Sequence, residues 1–193
     1  MRIVIVDDSG LRATVLEEGL REAGYDDIHV IPPQSGFVAR IERTAPDVVL
    51  MDLGSPSRDT LEEMLAVSRA LARPIAMFVD QSDETMIGAA IDAGVSAYVV
   101  DGLRKERVKP VLDLAIRRFN AFAKMQTELN EAKTALAERK TVDRAKAILM
   151  NTRGLSEADA YTLLRSTAMN QNRRIVDVAE ALITASDLLG RSR

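Results

Sequence analysis

Carboxylate side chains that could bind a cation stand at the ends of apolar runs in the first half of the chain. Asp7 and Asp8 end one such run, Asp52 ends another, and Asp101 follows a third. Carboxylate oxygens are the ligands that a hard divalent cation such as Mg²⁺ prefers. These residue types therefore indicate a cation-binding site, provided that the fold brings the ends of the runs together.

Five short apolar runs are predicted to be the strands that position these carboxylates. The runs alternate with stretches of helical periodicity, such as the one that contains Leu11, Val15 and Leu20. Strands that alternate with helices form a parallel sheet covered on both sides, which is a doubly wound α/β fold. The carboxyl ends of such strands meet at one edge of the sheet. The five runs are RIVIVD (2–7), DIHVI (27–31), DVVLMD (47–52), PIAMFV (74–79) and AYVV (97–100).

The last third of the chain has a different pattern, which predicts three short amphipathic helices in a bundle. Apolar residues recur at helical spacing, and Arg, Lys and Asn occupy the other positions. Gly154 is a natural left-handed end for the first helix. Ser156, with Asp159 three residues later, indicates a capping box for the second. The polar stretch from Asn170 to Arg174 separates the second helix from the third.

This tail resembles the ANTAR domain of transcription antitermination regulators. The resemblance rests on the order and spacing of residues in the runs AERKTVDRAKAILM (137–150), LSEADAYTLLRSTAMN (155–170) and VAEALI (178–183). It implies that the chain binds paired RNA hairpins with short loops in nascent leader transcripts and prevents a terminator from forming. The implied activity is RNA binding and not catalysis.

Nine polar residues of the tail are the candidates for RNA contact. Guanidinium groups grip phosphates or stack on bases, and amides read base edges that a loop exposes. Tyr161 is the only aromatic residue of this tail, so a broad aromatic stacking platform is not expected. Each candidate is otherwise an ordinary solvated helix residue. The candidates are Arg139, Lys140, Arg144, Lys146, Arg165, Asn170, Asn172, Arg173 and Arg174, of which Lys146 and Arg165 are the first choices.

Residues 1–118 resemble the receiver domain of response regulators. Asp7 and Asp8 match the acidic pair that holds Mg²⁺ in that family, and Asp52 matches the aspartate that accepts a phosphoryl group. Tyr98 matches the aromatic switch residue. A divalent cation is needed for this chemistry because it neutralises the phosphoryl oxygens as the aspartate attacks. RNA binding requires no cofactor, and Mg²⁺ at this acidic pocket is the candidate ligand that the resemblance implies.

Two positions of the receiver pattern hold residues that cannot do the usual chemistry. The family places Ser or Thr at the end of the fourth strand and Lys at the end of the fifth, where this chain has Val79 and Asp101. Valine has no hydrogen-bond donor, and a further carboxylate near Asp52 would repel a phosphorylated aspartate. We therefore favour a pseudo-receiver that signals through protein contacts. The alternatives are a response regulator that binds RNA or DNA under control of Asp52 phosphorylation, and an acidic cluster that holds no metal.

Further runs resemble the nitrate- and nitrite-responsive antiterminators within the ANTAR family. This resemblance covers nearly the whole chain. It implies that a NasS-like sensor, related to periplasmic binding proteins, holds the regulator inactive and releases it when the sensor binds nitrate or nitrite. Such control suits a receiver with damaged phosphorylation chemistry. The runs are DLGSPSRDTLEE (52–63), RPIAMFVD (73–80), AGVSAYVVDGL (93–103) and KPVLDLAIRRF (109–119).

A long helix over about residues 111–153 is predicted between the two parts. Apolar residues recur along it at the spacing that the seam of a two-helix coiled coil requires, which predicts a homodimer. The alternative is a rigid spacer whose apolar side chains pack on its own receiver. The predicted seam residues are Phe119, Phe122, Leu129 and Leu136. The predicted domains are a receiver-like domain over 1–118, a coiled-coil linker helix over 119–136 and an ANTAR domain over 137–193.

Composition and charge limit the remaining classes of protein. The 193 residues contain no Cys and no 18-residue apolar stretch, so we expect a cytoplasmic protein without disulfides or membrane contact. Residues 1–118 carry 14 basic and 20 acidic side chains, whereas residues 137–193 carry 10 basic and 7 acidic ones. The tail is therefore the predicted anion-binding part. A DNA-binding transcription factor, a phosphotransfer protein acting through Asp52 and a protein-only adaptor stay as rival interpretations.

Overall fold

The computed structural model describes residues 1–7, 9–34, 36–54, 62, 65–66, 70–101 and 103–190. The chain divides into two compact units, Met1–Lys124 and Met125–Arg193. Unit 1 contains a β-sheet with helices, and unit 2 is helical.

Unit 1 is built on a parallel sheet of five strands. The strands are β1 (Ile3–Asp7), β2 (Ile28–Ile31), β3 (Val48–Gly54), β4 (Ile75–Val79) and β5 (Ala97–Val100). Their order in the sheet is β2-β1-β3-β4-β5, and every neighbouring pair is parallel. The predicted five-stranded parallel sheet is therefore confirmed, with β3 at its centre between β1 and β4.

Helices cover both faces of this sheet. Among the described residues they are α1 (Leu11–Glu22), α2 (Phe37–Thr44), α3 (Glu84–Asp92) and the first part of α4 (Lys105–Arg153). Because successive side chains of a strand point to opposite faces, β1 contributes Val4 and Val6 to one apolar cluster and Ile3 and Ile5 to another. The first cluster includes residues of α2 and α3, and the second includes residues of α1 and α4. The doubly wound α/β fold is confirmed.

Helix α1 approaches α4 closely within unit 1. A Cβ atom on Gly19 would lie 2.9 Å from the Lys105 carbonyl oxygen and 2.9 Å from Cγ2 of Val108. Such distances leave no room for a methyl group, so glycine is the residue that allows this approach. Gly19 thereby fixes α1, whose first turn reaches the edge where β1 and β3 end.

Helix α4 is 49 residues long and begins earlier than the sequence predicts. The predicted helix starts near residue 111, whereas α4 starts at Lys105 and contains Pro110. Pro110 is the sixth residue of α4 and has no backbone N–H, so it removes one hydrogen bond from the second turn. Burial of Val108 and Leu112 in the core of unit 1 holds the turn in place.

Unit 2 packs the end of α4 against α5 (Glu157–Asn170) and α6 (Ile175–Gly190). The predicted ends and caps are confirmed. Gly154 has φ 64° directly after α4, and the Ser156 hydroxyl accepts a hydrogen bond from the Asp159 backbone N–H at 3.1 Å. The predicted three-helix bundle is also confirmed. Its core is formed by Ala145, Leu149, Ala160, Leu164 and Ala179.

Helix α5 ends at a left-handed residue that is not glycine. Asn172 has φ 50°. Its backbone N–H donates to the Met169 carbonyl at 3.2 Å, and the Arg173 N–H donates to the Ala168 carbonyl at 2.9 Å. This pair of bonds is a Schellman motif, in which asparagine is the usual substitute for glycine.

Candidate functional site

Asp7 joins the end of β1 to the start of α1. One of its carboxylate oxygens, Oδ2, accepts hydrogen bonds from the backbone N–H groups of Gly10 at 2.8 Å and Ala13 at 3.1 Å. Gly10 directly precedes α1 and Ala13 lies in its first turn, where backbone N–H groups have no partner within the helix. The other oxygen, Oδ1, is buried and has no hydrogen-bond partner among the described residues. Asp7 is therefore a helix cap with one oxygen left over.

Asp52 lies beside Asp7 in the sheet and is bound by an arginine. The two aspartates are register partners in the β1–β3 pairing, and the Asp52 side chain is fully buried. Arg12, the second residue of α1, places Nε 2.8 Å from each Asp52 carboxylate oxygen and Nη2 2.7 Å from Oδ1. This fork is a strong arrangement for an arginine and a carboxylate, because both oxygens receive a charged donor.

The same guanidinium reaches a second carboxylate. Its Nη1 donates to Oδ1 of Asp80, the residue that follows β4. The hydrogen bond to Asp52 is the largest cause that raises the pKa of Arg12 above its usual range, and partial burial opposes that rise. Arg12 thus carries a permanent positive charge between Asp52 and Asp80.

The remaining predicted receiver positions lie around this pocket. Val79 is buried at the end of β4, and its carbonyl accepts from the backbone N–H of Asp101 at 2.9 Å. Asp101 is exposed and has φ 48°. The Tyr98 hydroxyl lies 2.8 Å from the Ser82 hydroxyl. Asp8 lies outside the described residues, so its part in the acidic pair stays a prediction.

Receiver domains typically hold Mg²⁺ in an acidic pocket, and this arrangement does not fit the ion well. Asp7 Oδ1 is a suitable free ligand, but both oxygens of Asp52 bond Arg12. Within the described part of the chain, no three acidic, histidine or cysteine side chains are grouped so that they could hold a metal. Asp7 and Asp52 are the described residues that would bind the ion. Arg12 opposes this binding because it already bonds both oxygens of Asp52.

In unit 2, four of the predicted RNA-binding cations are paired with carboxylates. Lys146 Nζ lies 2.7 Å from both Asp143 Oδ1 and Glu157 Oε1, and its side chain is 14% exposed. These bonds raise the pKa of Lys146, the one to Asp143 most. The other three are Arg139 with Asp143 at 3.9 Å, Arg144 with Asp187 at 3.0 Å, and Arg174 with Glu138 at 3.0 Å and Asp177 at 3.2 Å.

Three predicted cations have no ion pair with any described residue and are exposed: Lys140, Arg165 and Arg173. The predicted amides are exposed as well. Asn170 ends α5, whereas Asn172 supplies the left-handed residue of the Schellman motif, so its presence also has a structural reason. These exposed cations are the ones that need no rearrangement to meet an anion.

An exposed stripe runs along α5 through one of the free cations. Tyr161, Arg165 and Met169 follow each other at intervals of four residues and so share one face of the helix. Tyr161 is 44% exposed and Met169 is 72% exposed. Tyr161 also lines a groove of about 660 Å³ in unit 2, together with Val142, Lys146, Met150, Arg174 and others.

The predicted coiled-coil residues lie along α4 with apolar side chains open to solvent. Phe122, Leu129 and Leu136 are each about half exposed, and Phe119 is partly buried. Met125 is exposed to the same degree as Phe122 and adds to the apolar surface.

Four residues that the structure places at these sites are not among the predicted site residues. Arg12 and Asp80 complete the pocket of unit 1, and Tyr161 and Met169 flank Arg165 in unit 2. A cation in the first turn after an acid-ended strand was the available signal for Arg12. The four-residue spacing around Arg165 was the signal for the stripe.

Comparison with known proteins assigns both parts of the chain. The response regulator receiver domain family matches residues 3–113, and the ANTAR domain family matches residues 130–183. The receiver domain of a modulated diguanylate cyclase from Desulfovibrio desulfuricans G20 has a TM-score of 0.52 at 21% identity, covering 62% of this chain and 95% of that one. That likeness concerns the fold, which is the fold of a response-regulator receiver.

Among curated relatives, the transcriptional regulatory protein PdtaR of Mycobacterium tuberculosis is 30% identical over 182 residues, which are 94% of this chain and 89% of PdtaR. The nitrate regulatory protein of Klebsiella oxytoca is 36% identical over 80 residues, which are 42% of this chain and 20% of that protein. The chain belongs to the ANTAR response regulators, a family of RNA-binding antiterminators, and within that family it is close to the nitrate- and nitrite-responsive antiterminator NasT. It is a transcriptional regulator and not an enzyme. Over the described residues, no helix has both the length and the apolar character for a membrane span.

Proposed function

We propose that the chain binds paired hairpins in leader transcripts through unit 2 and thereby prevents termination. The observation that carries this proposal is the stripe on α5, where Arg165 has no ion pair among the described residues and stands between exposed Tyr161 and Met169. A guanidinium can bind a phosphate or stack on a base, and an exposed tyrosine ring can stack on a loop base. The site then combines backbone attraction with base contact.

Free and paired cations should contribute unequally to RNA binding. Lys140, Arg165 and Arg173 can meet phosphates directly, whereas Arg144 and Lys146 must first give up carboxylate partners. Removing a free cation loses one phosphate contact and its share of counterion release. Arg165 therefore ranks above Lys146 as an RNA contact, although sequence reasoning put them together.

The test is a comparison of Arg165→Ala with Arg144→Ala in the full chain, binding a two-hairpin leader RNA over a series of salt concentrations. We expect Arg165→Ala to weaken binding about tenfold and to lower the salt slope by about one. Arg144→Ala loses the same formal charge and serves as the matched control, with a much smaller effect. Equal affinity of wild type and Arg165→Ala would remove the stripe from the interface, and preference for duplex DNA in competition would overturn RNA binding itself.

The same proposal covers the transcripts that the protein regulates and the sensor that controls it. The regulated transcripts are those of nitrate or nitrite assimilation, and a NasS-like sensor binds the receiver until nitrate or nitrite releases it. The similarity to the Klebsiella nitrate regulatory protein over 80 residues supports this assignment. Co-purification of the sensor with the chain in the absence of nitrate, and its loss with nitrate, would support it. Identical recovery under both conditions would contradict it.

A homodimer through α4 is the last element of the proposal. The exposed side chains of Phe122, Leu129 and Leu136 recur every seven residues, which suits a two-helix seam. Two ANTAR domains in one dimer would engage two hairpins at a high effective concentration. The proposed linker, 119–136, contains the division between the two compact units at Lys124. Sedimentation that finds only monomer at high concentration would refute the seam.

A further inference from the structure

The position of Arg12 in the acidic pocket of unit 1 has a consequence for cation binding. We propose that Arg12 is a built-in cation that takes the place of a divalent metal ion, so that in the resting receiver the guanidinium occupies Asp52 and excludes Mg²⁺ from Asp7 and Asp52. The inference concerns the receiver alone and is independent of RNA binding.

The backbone on both sides of Arg12 is fixed to the sheet. Gly10 and Ala13 donate their backbone N–H groups to the same oxygen of Asp7, at 2.8 and 3.1 Å. The backbone N–H of Arg12 itself donates to the Ser9 hydroxyl at 3.2 Å. The first turn of α1 is thus held to the end of β1, and the Arg12 side chain extends from it over the end of β3.

The guanidinium uses all three of its nitrogens in this pocket. Nε and Nη2 bond Asp52, and Nη1 bonds Asp80. An arginine keeps its charge throughout the pH range in which proteins fold, so a change of pH does not release it. Mg²⁺ needs carboxylate oxygens in its own octahedral shell, and a second cation at Asp52 would be repelled by the first.

Binding of a divalent cation therefore requires that Arg12 leave Asp52. The apparent affinity for the ion is then the affinity of the open pocket multiplied by the fraction of molecules in which the guanidinium is withdrawn. Without the guanidinium, two neighbouring carboxylates are left at one edge of the sheet, because Asp7 and Asp52 are register partners. The unbonded Oδ1 of Asp7 supplies a buried oxygen ligand at that place.

The experiment titrates Mn²⁺ into the full chain and follows paramagnetic broadening of backbone amide signals, with Mg²⁺ competition to identify the site. For the wild type we expect no selective broadening at Gly10 and Ala13. For Arg12→Gln we expect selective broadening there, with binding tighter by on the order of tenfold or more. The matched control is Arg21→Gln, which removes an exposed arginine of the same helix that pairs with Glu17 and leaves the pocket intact.

Two results would overturn the proposal. Selective Mn²⁺ binding by the wild type with an affinity equal to that of Arg12→Gln would show that the guanidinium does not exclude the ion, and no gain in Arg12→Gln would show that the pocket is not a latent metal site. If Arg12→Gln does not fold, Asp80→Asn provides the second variant, since it removes one anchor of Arg12 and leaves Asp7 and Asp52 unchanged. It should give a smaller gain of the same kind, and wild-type behaviour in Asp80→Asn would count against the proposal.

Discussion

The pocket of unit 1 and the surface of unit 2 treat charge in opposite ways. In unit 1 a buried carboxylate, Asp52, is bonded on both oxygens by a guanidinium from the same chain. In unit 2 three of the cations predicted to meet RNA are exposed and have no ion pair with a described residue, while four others are paired with carboxylates. A pocket that satisfies its own charge has little need of an external ion, whereas unpaired surface cations attract one. This contrast fits a sensor part that is read by protein contact and an effector part that binds a polyanion.

The largest expected effect comes from removing the guanidinium of the pocket. Arg12→Ala leaves Asp52 buried without its partner, so we expect the free energy of unfolding to fall by about 3 kcal/mol. Urea denaturation of the full chain, followed by a signal from unit 1, measures this change. The double variant Arg12→Ala with Asp52→Asn should recover most of the loss. A loss that the second change does not recover would mean that Arg12 acts through packing and not through the ion pair.

The next effect concerns the close contact between α4 and α1, the helix that carries Arg12. Gly19→Ala places a methyl group 2.9 Å from backbone and side-chain atoms of α4, so we expect destabilisation of about 1–3 kcal/mol. The matched control is Gly88→Ala in α3, where a Cβ has open space. There the same change should stabilise by about 0.5–1 kcal/mol, because alanine is the better helix former. Thermal unfolding of both variants measures these changes. Similar shifts of Tm for the two variants would contradict the close contact between Gly19 and α4.

A smaller effect separates structure from recognition in unit 2. Asn172 has a left-handed backbone, so Asn172→Ala should lower the free energy of unfolding by about 1 kcal/mol, whereas Asn172→Gly should keep it. The RNA affinity of the glycine variant then measures the contribution of the Asn172 side-chain amide to binding, separate from its effect on folding. A tenfold loss of hairpin binding in the folded Asn172→Gly would support the prediction that this amide contacts RNA. Unchanged binding would mean that Asn172 serves only to end α5.

The smallest effect is a pH dependence of the paired cation Lys146. Its hydrogen bond is the largest cause that lowers the pKa of Asp143 below the ordinary value of 3.8. A carboxyl whose folded-state pKa is lowered contributes stability above its unfolded pKa and loses it as the pH falls through the folded pKa. Lys146→Ala should therefore be slightly less stable than wild type at neutral pH, and the difference should vanish in acid. Side-chain carbonyl NMR should find the Asp143 pKa raised in that variant, and an unchanged pKa would contradict the pair.

Much of the fold could be predicted because strands and helix ends depend on patterns of neighbouring residues. The apolar runs ending at Asp7 and Asp52 are strands, and Gly154 and Ser156 mark helix ends through backbone geometry that depends on neighbouring residues alone. The start of α4 was harder to predict from the sequence. The predicted start lies near residue 111, whereas burial of Val108 in the core of unit 1 belongs to a helix that begins at Lys105.

The site was harder to predict because its bonds join residues that are distant in the sequence. Arg12 meets Asp52 across 40 positions and Asp80 across 68, and no periodicity encodes such pairs. Lys146 appeared to be a free helix charge until packing of α5 against α4 placed Glu157 beside it. Residue types indicate which side chains could bind an ion, but the partner that is already bound is visible only in the folded chain.

Asp7 shows that an acidic residue at the end of the first strand can have a structural role of its own. Because Oδ2 caps α1, replacing this aspartate would harm folding even in a receiver that never meets magnesium. An acid at the end of the first strand is therefore not by itself evidence that a receiver depends on a metal. The side chain five positions later, arginine in this chain, is the more informative place to look when receivers are sorted into those that load an ion and those that carry their own.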